Sequence, residues 1–370
     1  VQELVSPINL FEYEQLAKSH LSQMAFDYYS SGAWDEITLK DNRTAFTRIK
    51  LRPKMLVDVS KINLTTKVLG ESLQLPLLIA PMAFQCLAHS DGEIATASAA
   101  VSAGVGMVLS TLSTKSLEEV ATVDNGLQWF QLYIHKDRGL TRALVERAYT
   151  AGYKALCLTV DAPVLGKRER DQRNEFTLPP GLHPANLTKI SGLDIPHEQG
   201  ESGLLTYFAQ QINPALTWKD LEWLQSLSPL PLVLKGILRG DDAVRAVEYG
   251  AQGIVVSNHG GRQLDGALAK LTEGIASLDA LPEIIAAVDN RAEVLLDGGI
   301  RRGTDILKAL ALGAKAVLIG RPVLWGLAVS GQEGVSDIIS LLKDELTTAM
   351  ALSGCASLQD IDSTLVIRNW

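Results

Sequence analysis

The chain has 370 residues, enough for one large domain or two ordinary ones, and its 46% hydrophobic and 21% charged residues are those of a globular protein with a substantial core. A formal charge of −8, with no basic run of five or more residues, excludes non-specific nucleic-acid binding and means that any anion must be met by locally concentrated positive charge. No window reaches the roughly 18 uncharged apolar residues of a membrane span, and Cys86, Cys157 and Cys355 are widely spaced without a CxxC pair, so a cytoplasmic protein without a membrane partner is expected.

In chain order, residues 1 to about 70 read as a helical opening that includes 10–31. Eight short apolar runs follow, at 77–80, 106–109, 129–132, 155–158, 231–234, 253–256, 293–296 and 316–319. Runs this short, with β-branched residues and bounding glycines, predict strands buried on both faces. Amphipathic stretches such as 138–151 and 241–250 lie between them. Several stop in one phrase, at Ala103-Gly104, Ala151-Gly152, Tyr249-Gly250-Ala251 and Leu312-Gly313-Ala314, where glycine supplies a left-handed cap before the next strand. The repeat predicts an α/β fold, a (β/α)8 TIM barrel over about 75–330 within a single domain of residues 1–370. The stretch 178–214, rich in Pro, Gly, Asn and Ser, falls after the fourth strand, and its length predicts a lid or a disordered connection. A C-terminal amphipathic helix over 335–352 closes the chain.

Chemistry in such a barrel sits on the loops after the strands. Polar residues fall there in every unit: Pro81-Met82-Ala83, Ser110-Thr111, Gln131 with Tyr133, Thr159-Val160-Asp161, Lys235-Gly236, the run 257–262, the run 297–303 and Gly320-Arg321-Pro322. Gly298, Gly299 and Gly303, with Arg301 and Arg321, suit a phosphate at a helix N-terminus, although tight turns also favour glycine and a phosphosugar would fit as well as FMN. Lys235, at a strand end, can stabilise a reduced flavin, snorkel to the surface or form a Schiff base as in an aldolase. Gln131, Thr159 and Ser110 suit the edge of a planar ring. His259, between Asn258 and Gly260-Gly261, is the candidate base, and Asp161 its candidate partner. No histidine has metal-ligand spacing, so no metal is expected. Arg262 and Arg168 are candidates for gripping a carboxylate, though Lys167-Arg168-Glu169-Arg170 also reads as a solvated helix face. Tyr28 and Tyr133 can donate phenolic hydrogen bonds, while Tyr28-Tyr29 in an amphipathic helix also reads as core.

The run Ser257-Asn258-His259-Gly260-Gly261-Arg262-Gln263-Leu264-Asp265 resembles the active-site signature of the FMN-dependent (S)-2-hydroxy acid oxidases, the glycolate and L-lactate oxidase group. The resemblance extends over nearly the whole chain, through Asp27-Tyr28-Tyr29, Ile79-Ala80-Pro81, Phe130-Gln131-Leu132-Tyr133, Leu158-Thr159-Val160-Asp161, Leu165-Gly166-Lys167-Arg168, the run 296–301 and Ile319-Gly320-Arg321-Pro322. It implies His259 as base with Asp161 as partner, and Arg168, Arg262, Tyr28 and Tyr133 around the substrate carboxylate and hydroxyl. It implies FMN held by Pro81, Met82, Ala83, Ser110, Gln131, Thr159, Lys235 and Ser257, with its phosphate at Asp297, Gly299, Arg301, Gly320 and Arg321. A homotetramer or octamer is the implied assembly. Leu112 stands where glycolate oxidases of the family usually carry tryptophan. With Met82, it tilts the expected substrate toward a larger α-substituent, though a methyl group's worth of pocket gives only about 10- to 200-fold discrimination.

The expected activity is oxidation of a small (S)-2-hydroxy acid, L-lactate to pyruvate ahead of glycolate to glyoxylate, with O2 reduced to H2O2. A dehydrogenase using another electron acceptor is the rival on the same scaffold, and a non-catalytic flavin or phosphate-ligand binder the rival from a different class.

Overall fold

The computed structural model describes residues 6–123, 126–191, 194–196, 202–267 and 274–368. The chain opens with α1 (Leu10–His20), α2 (Gln23–Ser30) and α3 (Ile37–Arg48). The expected helical stretch 10–31 is thus two helices. Leu21 is extended, and the Ser22 side chain accepts from the Ala25 N–H to start α2 afresh. Nor is the opening only helical, because strand β1 (Ile49–Leu51) and a hairpin of β2 (Thr66–Val68) and β3 (Glu71–Leu73) follow.

Eight parallel strands then close on themselves: β4 (Leu77–Ile79), β5 (Gly106–Leu109), β6 (Gln128–Leu132), β7 (Leu156–Thr159), β8 (Leu232–Ile237), β9 (Gly253–Val256), β10 (Glu293–Asp297) and β11 (Ala316–Ile319). Closure is made where β11 pairs with β4 through Val317↔Leu77, Leu318↔Leu78 and Ile319↔Ile79. The TIM barrel expected from the eight apolar runs is the fold. Helices α4 (Gly92–Ala103), α5 (Leu117–Ala121) and α6 (Arg138–Thr150) follow the first three strands. Between β7 and β8 come α7 (Glu169–Arg173), α8 (Ala185–Ser191), α9 (Gly203–Gln211) and α10 (Asp220–Ser226), so the described parts of 178–214 hold helix rather than bare connection. The circuit ends with α11 (Gly240–Glu248), α12 (Ser277–Val288), α13 (Gly303–Ala311) and α14 (Arg321–Leu352), then β12 (Val366–Arg368), which pairs with β1. The expected closing helix 335–352 is only the far half of α14. The near half begins directly after β11, and the two meet at a break over Ser330 and Gly331. At the four shared stop phrases, Gly104, Gly152, Gly250 and Gly313 all have the positive φ a left-handed cap requires.

Strand parity positions the site. Side chains of a strand alternate between faces, and here Leu78, Val108, Trp129, Cys157, Val233, Val255, Leu295 and Leu318 form one apolar layer inside the barrel. Their neighbours, such as Leu77, Ile79, Phe130 and Leu158, pack outward against the helices. Two residues further along each strand the inward position becomes Ala80, Ser110, Gln131, Thr159, Lys235, Ser257, Asp297 and Gly320. The barrel is apolar in its middle and polar or glycine-lined at its carboxyl mouth. At the opposite end Val68 and Leu73 of the β2–β3 hairpin join the inner apolar cluster and plug it.

Candidate active site

His259 stands at the carboxyl end of β9 with φ +58°, followed by Gly260 and Gly261 at +63° and +75°. A left-handed non-glycine residue stores strain of about 1–3 kcal/mol and persists only where its surroundings hold it. They do so here. The Ser257 hydroxyl accepts from the His259 N–H at 3.0 Å, and Asn258 Oδ1 accepts from the Gly261 N–H at 3.1 Å. Gln263 Nε2 donates to the carbonyls of Asp161 and Val164 at 2.8 and 2.9 Å, tying the loop after β9 to the loop after β7.

That tie brings the two candidate acid–base residues together. His259 Nδ1 lies 2.8 Å from Asp161 Oδ1. Burial pushes the imidazole below its usual value, and Asp161 only partly offsets this. Burial alone would raise the Asp161 carboxyl, but His259 and Lys235 outweigh it and hold the group down. The dyad therefore rests as carboxylate and neutral imidazole, with the proton on Nδ1 and the lone pair on Nε2.

Arg168 does not lie on a solvated helix face. It precedes α7 and is 6% exposed, directed into the mouth of the barrel. Arg262 donates through Nη1 to the carbonyls of Tyr28 and Ser31 and sits 5.0 Å over the Tyr28 ring. Burial, with Arg168 nearby, lowers the Arg262 guanidinium to about 10. Tyr28 stacks on Phe176 at 4.3 Å, and Tyr133 meets Phe208 edge-on at 5.3 Å. Both phenols are pushed up by burial and stay protonated donors. Tyr28 is thus both core and cavity wall.

At the β10 and β11 ends lie two more guanidiniums, Arg301 buried and Arg321 half-buried. Arg321 donates to the carbonyls of Tyr29, Ser31 and Gly260, and Arg301 to that of Ile300. Burial lowers Arg301 to about 10 and Arg321 well below its ordinary value, with Arg262 and Arg301 adding to the effect on Arg321. Two crowded cations beside Gly298 and Gly299, whose φ values are +103° and +82°, make a site for an anion. Gly303 is not part of it. Its N–H is taken by Glu345 Oε2 at 2.8 Å, and a side chain there would strike the backbone of α14, so that glycine serves packing.

Between the two groups sits Lys235, 4% exposed, with Nζ 2.9 Å from Asp297 Oδ2 and 3.0 Å from Ser257 Oγ. Burial would lower the ammonium, but Asp297 and Asp161 outweigh it and raise it. A Schiff-base lysine needs a readily deprotonated amine, so the aldolase reading does not fit. Gln131 bridges the collar, accepting from the Thr111 N–H at 3.1 Å and donating to Thr159 Oγ1 at 3.1 Å.

Apart from Gly303, all the candidate residues except Asp161 and Ser257 line one cavity at the carboxyl mouth. Those two stand directly behind it, against His259 and Lys235. The sequence reading missed Leu204 and Phe208, which reach the same cavity from α9. Their i, i+4 spacing was the available signal, hidden within a stretch read as a connection. It also missed Asp171, buried next to Arg168, and the splinting role of Gln263.

Residues 17–368 match the family model of the FMN-dependent dehydrogenases. The chain belongs to the FMN-dependent dehydrogenase family. It is 80% identical over 365 residues to an L-lactate oxidase of Nostoc sp. (strain PCC 7120), with 98% of each chain covered. It is 50% identical to glycolate oxidase 3 of Arabidopsis thaliana, over 98% of this chain and 96% of that one. A crystal structure of mandelate oxidase with (S)-4-hydroxymandelic acid superposes with a TM-score of 0.90 at 45% identity, covering 95% of this chain and 97% of that one. FMN is the cofactor of this family, and the cavity fits it. Arg301 and Arg321, both lining the cavity, suit the phosphate, and Asp297 Oδ1 in the collar is buried with no hydrogen-bond partner. The wall from Ala80 to Ala83 presents a surface free of polar side chains to a ring.

Proposed function

We propose that this FMN-dependent oxidoreductase converts L-lactate and O2 to pyruvate and H2O2, with residues 1–370 acting as one domain. The His259–Asp161 pair carries this reading, because a neutral imidazole sharing a cavity with the guanidiniums of Arg168 and Arg262 is equipped to take a proton from a 2-hydroxy carboxylate. The name of the Nostoc relative supports lactate as the substrate.

Arg168 and Arg262 grip the substrate carboxylate, each offering a planar donor fork. Tyr28 and Tyr133 donate hydrogen bonds to the carboxylate and hydroxyl. His259 Nε2 removes the hydroxyl proton if the α-hydrogen leaves as hydride, or the α-proton itself in a carbanion route. Asp161 stabilises the imidazolium that forms. FMN, when bound, supplies a two-electron acceptor that O2 can reoxidise. Its ring would lie among Pro81, Met82, Ala83, Ser110, Gln131 and Thr159, with Lys235 providing positive charge and Ser257 accepting from the Lys235 ammonium behind it. Its phosphate would lie at Gly298, Gly299, Arg301, Gly320 and Arg321, with Asp297 on the same wall and paired with Lys235. Leu112, Leu204 and Phe208 give the cavity an apolar wall on the substrate side.

Glycolate is the second reading, favoured by the names of the relatives near 50% identity. Anaerobic flavin bleaching measured with L-lactate, glycolate, longer 2-hydroxy acids and mandelate ranks the substrates. Fastest bleaching by glycolate would replace lactate in the proposal. Turnover in air with peroxide detection tests the acceptor, since a dehydrogenase for another acceptor makes little peroxide. We further read the chain as a cytoplasmic homotetramer or octamer. No described helix is long and apolar enough to cross a membrane, and light scattering measures the assembly.

A further inference from the structure

Asp171 is a buried carboxylate that the mechanism above does not use. It lies on α7, 2% exposed, and neither of its carboxylate oxygens has a hydrogen-bond partner. Its Oδ2 is 3.8 Å from Arg168 Nη1, too long for a hydrogen bond but close for an ion pair. Arg168 Nε is likewise buried and unpartnered. A buried charge without hydrogen bonds is costly, and it persists where it answers another charge. Two such charges are present. Arg168 and Arg262 repel one another, and Asp171 opposes that repulsion by favouring the charged form of Arg262. Burial raises the Asp171 carboxyl above its ordinary value and Asp27 adds to this, while Arg168, Arg262 and Arg170 oppose it. Arg170 is committed elsewhere, with Nη2 2.7 Å from Glu36 and Nη1 3.7 Å from Asp27.

We propose that Asp171 is the resident counter-ion of the Arg168–Arg262 pair and selects substrates that carry a single carboxylate. Two guanidiniums bring +2, Asp171 brings −1, and the remaining +1 is what one carboxylate neutralises. With Arg301 and Arg321 given to the FMN phosphate and Lys235 paired with Asp297, a second carboxylate on the ligand finds no uncompensated charge and is repelled by Asp171. The surrounding cavity agrees with this, since Leu112, Leu165, Leu204 and Phe208 offer the rest of the ligand no polar partner. Asp171 is a positioning residue that acts through Arg168. The inference rests on the reading of Arg168 and Arg262 as the carboxylate grip.

The test uses the FMN-loaded enzyme and two non-oxidisable probes, acetate for a monoanion and oxalate for a dianion, followed through their perturbation of the flavin absorbance. Asp171→Asn removes the charge at nearly constant shape. The affinity ratio of oxalate to acetate should rise by about tenfold or more, because an added unit of positive charge acts on the dianion twice as strongly. Damage to the fold alone would weaken both probes and leave the ratio at its wild-type value, which would overturn the proposal. Asp171→Ser is a second neutral variant, read the same way if the asparagine protein does not fold. Asp171→Glu keeps the charge and should keep the ratio within about threefold of wild type; a rise equal to that of the asparagine variant would make shape the cause and overturn the proposal. Arg168→Met in the otherwise wild-type enzyme separates the two levels. Undiminished acetate binding there removes the grip itself, whereas lost acetate binding with an unchanged ratio in Asp171→Asn removes only the role of Asp171.

Discussion

The two ends of the barrel are built on opposite terms. At the carboxyl mouth, buried polar groups stand in strained or crowded arrangements: a left-handed His259, a second Asp161 oxygen without a partner, an orphaned Asp297 oxygen and guanidiniums forced together. At the other end the β2–β3 hairpin closes the same ring with Val68 and Leu73 packed on aliphatic side chains. One end spends stability to hold charges where a ligand will use them, and the other supplies the packing that makes this tolerable.

The sharpest way to break this comparison is at His259. His259→Ala should stay folded and yellow, yet flavin reduction by L-lactate should fall by about 10²- to 10⁴-fold in anaerobic stopped flow; an unchanged rate would remove His259 as the base. Next, Lys235→Met leaves Asp297 and Asp161 without their cation, and a buried ion pair broken on one side costs about 3–5 kcal/mol. Urea unfolding of the FMN-free protein should register that loss, and FMN should bind more weakly. At the plugged end, Leu73→Ala should cost about 2–5 kcal/mol of stability while the flavin-reduction rate at 25 °C stays within twofold of wild type. A large rate loss there would show that the two ends are coupled rather than divided in labour.

The smallest effect is on pH. Burial holds the His259 imidazole below 6.5, so kcat/KM should be flat through neutrality and decline only below a midpoint under 6.5, as the base becomes protonated. Asp161 favours the protonated ring, so in Asp161→Asn that midpoint should move to still lower pH along with a slower reduction rate. An upward move of the midpoint would contradict the electrostatics of the pair.

Much of this was legible in the residues. Seven of the eight runs matched their strands to within a residue, while β8 ran three residues past its run, and the stop phrases marked real left-handed caps. The collar was legible through parity, since Lys235 follows Val233 and Asp297 follows Leu295 by two positions. Arg168 was the harder case. Its charged neighbours pattern like a surface, and only the packing of α7 over the barrel mouth buries it. The break after His20 and the hairpin plug were likewise not visible in local pattern, and the i, i+4 spacing of Leu204 and Phe208 marked a helix face without saying that it meets the cavity.

Sequence alone therefore determined strand position, the alternation of side chains along each strand and the chemical identity of the mouth, because alternation and turn chemistry are properties of a few consecutive residues. Tertiary structure decided which of those groups meet. Asp161 and His259 are 98 residues apart, and Lys235 and Asp297 lie on strands that are not neighbours in the sheet. Only closure of the ring brings them within hydrogen-bond distance, and closure depends on the summed packing of the whole chain.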